Sequence, residues 1–139
     1  MWSKTKKKLE DLLCDSLKER LEYHCSNYRM HDGIGRTYIT IDKKEVLNMC
    51  TLKRDYYRKP KDGVYSQVEF IDSVYKYFDL SIEEAQKSED PIIRMLGVLD
   101  RRTGKRTLES MKPDIASEYE VVSKMYIIRC NAEGINLEL

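Results

Sequence analysis

RTYITIDKKEVLNMC, residues 36–50, is the stretch whose reading decides the fold. In RTYITID, 36–42, Ile39 and Ile41 fall on one side of an extended chain and Tyr38 and Thr40 on the other, the period-two pattern of a half-buried strand. EVLNMC, 45–50, follows a tight connection at Lys43-Lys44 and reads as the returning strand. That connection has neither the Asn-Gly nor the Gly-X chemistry that two-residue hairpins favour, so the letters leave the register open. Upstream, Leu21, Tyr23 and Cys25 alternate with Glu22, His24 and Ser26. Beyond Asn27 the larger apolar groups are Tyr28 and Met30, and this change of phase marks a bulge or the end of the strand. The expectation is a three-stranded antiparallel meander.

Outward from the meander the period changes to helical. Leu9, Leu12, Leu13 and Leu17 recur at spacings of three and four, which predicts one helix over 3–17 with Ser3 as its N-cap. C-terminal to the strands, Ser66 precedes Glu69, Ser81 precedes Glu84 and Ser117 precedes Glu120, each pair at the spacing of a capping box. The first of these helices carries Phe70, Ile71, Val74, Tyr77 and Phe78 as its apolar stripe, with Ser73 opposite and Tyr75 expected in the core beside Tyr77. Asp90-Pro91 opens a further helix with proline at N1. DRRTGKRT, 100–107, reads as an exposed polar loop, and EYEVVSKMYIIRCNAEG as a last helix closed by Gly134 in the left-handed conformation. The sum is a single α+β domain, 1–139: the meander packed by an N-terminal helix and a C-terminal helical group.

Composition narrows the roles. The 139 residues hold 25 Lys plus Arg against 24 Asp plus Glu, so no global field draws in nucleic acid, an anionic membrane or an acidic substrate. Cys14, Cys25, Cys50 and Cys130 lie far apart with no CxxC pair, and no apolar run has the length of a leader or of a membrane span. The expected setting is the reducing cytoplasm, with no membrane association. No metal site is expected: the one adjacent Cys-His pair, His24-Cys25, points to opposite faces of a strand and cannot share an ion. No cofactor motif is present either, since GIG at 33–35 runs into a strand, whereas phosphate loops run into a helix.

Three clusters are candidates for chemistry. HDGIGR, 31–36, offers His31 as a proton shuttle, Asp32 to orient it and Arg36 as an anion clamp. Neighbours on one turn supply neither a third orienting group nor a dry pocket, and Asp32, Gly33 and Gly35 are more simply read as turn residues. TLKRDYYRKPKDG, 51–63, surrounds Tyr56 and Tyr57 with Lys53, Arg54, Arg58, Lys59 and Lys61, a pattern of stacking faces and cations that suits single-stranded nucleic acid. Lys4, Lys6, Lys7 and Lys8 load the first turns of a helix with charge that its dipole opposes, as a solvated end or an anion contact would. Tyr28, Tyr38, Tyr56, Tyr57 and Tyr65 gather around the meander, and tyrosine with arginine is the composition of protein-binding surfaces.

The opening MWSKTKKKLEDLLCDSLKERLEYH, GRTYITIDKKEV and the closing RCNAEGI resemble a family of small bacterial cytosolic proteins that begin Met-Trp-Ser-Lys-Thr-Lys. The resemblance covers about the first third of the chain and a short block near its end. It implies a bacterial, cytoplasmic protein and transfers no activity and no catalytic residue. Lys43-Lys44 departs from the glycine expected in the hairpin of that family.

With no nucleophile placed beside a base and no carboxylate pair in an apolar setting, the sequence points to a non-catalytic, protein-binding module, an adaptor or an immunity-type neutraliser. Its expected contact residues are Tyr28, Tyr38, Arg54, Tyr56, Tyr57, Arg58 and Lys59. The alternative is single-stranded nucleic-acid binding through 53–61 and the N-terminal lysines.

Overall fold

Residues 2–26, 35–51 and 65–137 are described by the computed structural model. The three predicted strands are present as β1 (Leu21–Ser26), β2 (Gly35–Ile41) and β3 (Lys44–Thr51), antiparallel in the order β1-β2-β3. Tyr23 faces Ile39 and His24 faces Tyr38 across the first pair, while Ile39 faces Leu47 across the second. Leu21, Tyr23, Thr37, Ile39 and Met49 are buried on one side, as the alternation requires. Between Ile39 and Thr40 the register shifts, so Val46 is the extra residue of a bulge in β3.

The hairpin turns at Asp42-Lys43, one residue earlier than Lys43-Lys44, and Ile41 pairs directly with Lys44. Asp42 (φ 51°) and Lys43 (φ 70°) both adopt the left-handed conformation that a type I′ turn demands, without a glycine. Side chains hold this turn in place. Arg20 grips the Asp42 carboxylate through Nε and Nη2 at 3.0 and 2.9 Å, and Lys43 donates to Glu22 at 2.7 Å.

The first helix is shorter than its apolar spacing predicts. Here α1 spans Trp2–Asp11 and takes Ser3 into its first turn, so Ser3 is not the cap. Continuation is prevented by competition for backbone groups. The Leu12 carbonyl accepts from Arg101 N at 2.8 Å, the Cys14 N–H donates to Leu99 O at 2.9 Å, and Leu13 bridges to Asp100. Leu13 and Leu17 are buried all the same, in turns that carry the chain to β1. The outer edge of β1 is protected by α1, where the Glu10 carboxylate accepts from Tyr23 N at 3.2 Å.

α2 (Gln67–Phe78) and α3 (Ile82–Gln86) start at Ser66 and Ser81 with both halves of the capping box formed, and α4 (Pro91–Leu99) starts on Asp90 with proline at N1. The third expected box does not form. Ser117 ends a 3-10 segment, Lys112–Ser117, where its hydroxyl donates back to Asp114 O at 3.0 Å, and α6 (Glu120–Glu133) has Tyr119 at its N-cap position. Gly134 (φ 70°) closes α6 as expected. Tyr77 is buried but Tyr75 is 51% exposed, while Ser73 is buried because it donates to Asp90 at 2.7 Å and ties α2 to the start of α4.

The polar stretch 100–107 is not an exposed loop throughout. Asp100 and Thr103 are buried, and α5 (Lys105–Met111) begins within the stretch. Thr103 donates to Gly97 O at 2.7 Å and accepts from Gln86 at 2.8 Å, which holds α3 and α4 together. The Asp100 carboxylate accepts the Tyr77 hydroxyl from α2, and Arg102 donates to it through Nε at 3.0 Å, Nη2 at 2.7 Å and its backbone N–H at 2.8 Å. Hydrophobic residues from every part of the described chain form one buried cluster, and the helices α1 and α2 lie on its Tyr23 side of the sheet.

Two substitutions follow from this. Asp100→Ala leaves the Tyr77 hydroxyl and a cation without their acceptor and is expected to cost about 3 kcal/mol or more in urea unfolding, against roughly 1–2 kcal/mol for Tyr77→Phe, which keeps the Arg102 contact. Lys43→Gly places the residue that the turn geometry favours and is expected to raise the urea midpoint despite losing the Glu22 contact; a lowered midpoint counts against the type I′ assignment.

Candidate functional site: the Tyr38 face of the sheet

The side of the meander away from α1 and α2 carries the even-numbered residues of β1 and β2. Here Tyr38 is the centre of a ladder of planar groups. The His24 ring stacks on it at 4.6 Å between centroids with 12° between planes, and the Arg36 guanidinium carbon lies 3.9 Å from its centroid. Strand geometry produces both contacts, since His24 is the direct cross-strand neighbour of Tyr38 and Arg36 stands two residues before it on the same face.

Polar bonds fix the two ends. Arg36 Nε donates to Asn48 Oδ1 at 2.8 Å and its Nη2 pairs with Glu45, both on β3. His24 Nε2 and Thr40 Oγ1 lie 2.8 Å apart, and Thr40 is buried beneath that contact. Tyr38, His24 and Arg36 are half-buried, so the ladder presents flat, partly desolvated surface to the outside. Burial, and after it the Lys6 ammonium, hold the His24 imidazole below its ordinary value of 6.5.

Of the residues singled out in the sequence, Arg36 and Tyr38 meet in this ladder. His31, Asp32, Tyr28, Arg54, Tyr56, Tyr57, Arg58 and Lys59 lie outside the described residues. The described sheet nevertheless fixes where those stretches attach: Ser26, Gly35 and Thr51, the ends from which 27–34 and 52–64 depart, all lie at the Arg36 end of the sheet. Tyr65, expected near the free surface, is buried in the core. His24 was not legible as a site residue, although its place opposite Tyr38 follows once the register is known. Among the N-terminal lysines, Lys8 lies 4.2 Å from the centre of the Phe78 ring and Lys6 is 3.9 Å from Glu10, so these two contact the protein's own surface.

The sequence matches the SF0329 protein family over residues 1–62 and 55–130. The chain belongs to that family. No match is found among the curated proteins, and none among the solved structures. The first matched range takes in all three strands of this SF0329 family protein and the second takes in α2 to α5 and most of α6, so both the sheet and its helical cover belong to the family pattern.

No group of three or more His, Cys, Asp or Glu among the described residues is arranged to hold a metal ion. His24 and Cys25 do point to opposite sides: the imidazole joins the ladder, whereas the Cys25 sulfur faces α2, accepting from Gln67 Nε2 at 2.8 Å and from the Thr37 hydroxyl at 3.6 Å. Among the described residues no helix is long and apolar enough to cross a membrane.

A lowered imidazole pKa has a definite sign in stability. The folded state resists protonating His24 and the unfolded state does not, so stability is full above pH 6.5 and falls as pH drops from 6.5 towards the folded value. The expected NMR titration midpoint of His24 is below 6.5, and His24→Gln flattens the loss of stability in that window. A midpoint at or above 6.5 contradicts the burial of the ring.

Proposed function

We propose that this protein is a non-catalytic binding module of the bacterial cytoplasm whose sheet face around Tyr38 engages another protein, as an adaptor or an immunity-type neutraliser. The observation that carries this reading is the Arg36–Tyr38–His24 ladder. Tyrosine and arginine dominate the energetics of protein interfaces because each offers a large flat surface with few rotatable bonds and a polar end. Here these groups are pre-ordered by stacking and by bonds to Asn48, Glu45 and Thr40, which lowers the entropy lost when a partner covers them.

A second reading, single-stranded nucleic-acid binding, draws on one observation: β3 ends at the Arg36 end of the sheet, so the basic and aromatic stretch 53–61 continues from beside the ladder. Against it, three cations among the described residues in and around the sheet have carboxylates of their own. Arg36 pairs with Glu45, Arg20 with Asp42 and Lys43 with Glu22, and a phosphate would have to displace those partners. The ring of Tyr38 likewise holds His24 and Arg36 where a base would stack.

The test is capture of partners from bacterial cytosol on the immobilised protein, followed by calorimetry with the purified partner. Tyr38→Ala is expected to weaken binding roughly 30-fold or more, the order of a hot-spot tyrosine, while Tyr75→Ala on α2 leaves it unchanged. Affinity is expected to change little between low and moderate salt. A steep fall of affinity with salt, together with binding to single-stranded RNA or DNA, transfers the function to the second reading.

A further inference from the structure

A second site stands apart from the sheet. A cleft of about 370 Å³ opens where the turns before β1, the Asp100 corner and the end of α6 meet, and it is lined by Cys14, Asp15, Ser16, Arg101, Arg129 and Glu133. That is within the range of small-molecule sites. Its floor is rigid. Arg129 is only 3% exposed, with Nη1 donating to Val98 O and Asp100 O at 2.8 Å each and Nε donating to Glu133 Oε2 at 2.6 Å. Ser16 Oγ donates to the same carboxylate oxygen at 3.4 Å. These bonds lock the guanidinium and leave its Nη2 outside them, on a side chain that lines the cleft.

The rim carries one exposed charge of each sign, Arg101 and Asp15. Among the described residues the ion pairs of this neighbourhood are Arg129–Glu133 and Arg102–Asp100, and neither includes Arg101 or Asp15. Two guanidinium groups suit an anion, but a dianion such as phosphate would also meet Glu133 and Asp15, which line the same cleft. A cation alone meets the converse difficulty. A ligand that carries both signs a few bonds apart offers each charge of the lining an opposite one, because carboxylate–guanidinium and ammonium–carboxylate contacts are each charge-assisted hydrogen bonds.

We propose that this cleft binds a small zwitterion with the headgroup of a free α-amino acid, its carboxylate held by Arg101 and Arg129 and its ammonium by Asp15 and Glu133. With exposed groups forming the rim, the ligand's side chain is directed towards solvent, so selectivity lies in the headgroup and is weak among side chains.

The experiment is an NMR titration of the full-length, isotopically labelled protein with L-alanine, with acetate and methylammonium as probes that each carry one of the two charges. L-alanine is expected to shift the amides of Ser16, Arg101 and Arg129 saturably, while neither single-charge probe saturates over the same range. Arg101→Ala and Asp15→Asn, both at exposed positions, are each expected to raise Kd about tenfold or more, the cost of one charge-assisted contact. The proposal is overturned by the absence of a saturable shift up to roughly 20 mM L-alanine, well beyond a millimolar Kd. Acetate binding as tightly as L-alanine, or wild-type affinity in both variants, also overturns it.

Discussion

The fold turns on a carboxylate with no solvent exposure. Asp100 sits where α4 ends, and its side chain, 0% accessible, is the acceptor for Tyr77 of α2 and for Arg102 of the following turn. Its backbone does as much: Asp100 bridges to Leu13, and its carbonyl, with that of Val98, receives the Arg129 guanidinium from α6. Four separate parts of the chain therefore meet at one residue. A buried charge is costly unless its lone pairs are filled, and the energetic demand of filling these fixes the positions of α2, α6 and the turns before β1 relative to α4. The apolar contacts supply the bulk of the stabilisation but are tolerant of small shifts, so this corner supplies the directional constraint.

The consequence reaches the sheet through the chain that precedes it. Because the Leu12, Leu13 and Cys14 backbone groups are committed to Leu99, Asp100 and Arg101, the first helix must stop at Asp11. The turns that follow bring Leu17 into the core and Arg20 to the hairpin, where it holds Asp42 in its left-handed conformation. Glu10 on the shortened helix then falls beside Tyr23 and occupies an outward N–H of the edge strand. With the register fixed at the hairpin, the face opposite the core can carry polar and aromatic groups without a slip that would exchange the two faces.

Much of this was legible. Period-two alternation gave β1 and β2 and assigned Tyr23 and Ile39 to the core side, because an extended chain has no other way to bury one face. Two capping boxes and the Asp90-Pro91 start were readable because hydroxyl, carboxylate and proline act locally. What escaped were effects set by partners distant in sequence. Nothing within 3–17 announces that Leu13 will pair with Asp100, and nothing in DRRTGKRT announces that its first residue will be buried by Tyr77. Ser117 matched the capping spacing, yet its hydroxyl serves the turn behind it, an alternative of equal local merit. Of the ladder, Tyr38 was expected as a contact residue, Arg36 only as an anion clamp beside His31 and Asp32, and His24 not at all, since its place depends on which residue lies opposite across the strand pair.

The two polar centres obey opposite physics, and that difference bears on which of them can meet a macromolecule. At the Asp100 corner the groups are withdrawn from water and point at one another, which yields rigidity and leaves only the neighbouring cleft open to something small. On the sheet the groups are also satisfied, but by stacking in the plane of the surface, with Arg36 still 37% exposed and Glu45 42%. Such a surface has lost part of its hydration already and has fixed its rotamers, so covering it removes little further water from charge and little further freedom from side chains. The Arg36–Glu45 pair runs alongside the Tyr38 ring, since Glu45 lies opposite Thr40, and two further pairs, Arg20–Asp42 and Lys43–Glu22, gather at the hairpin.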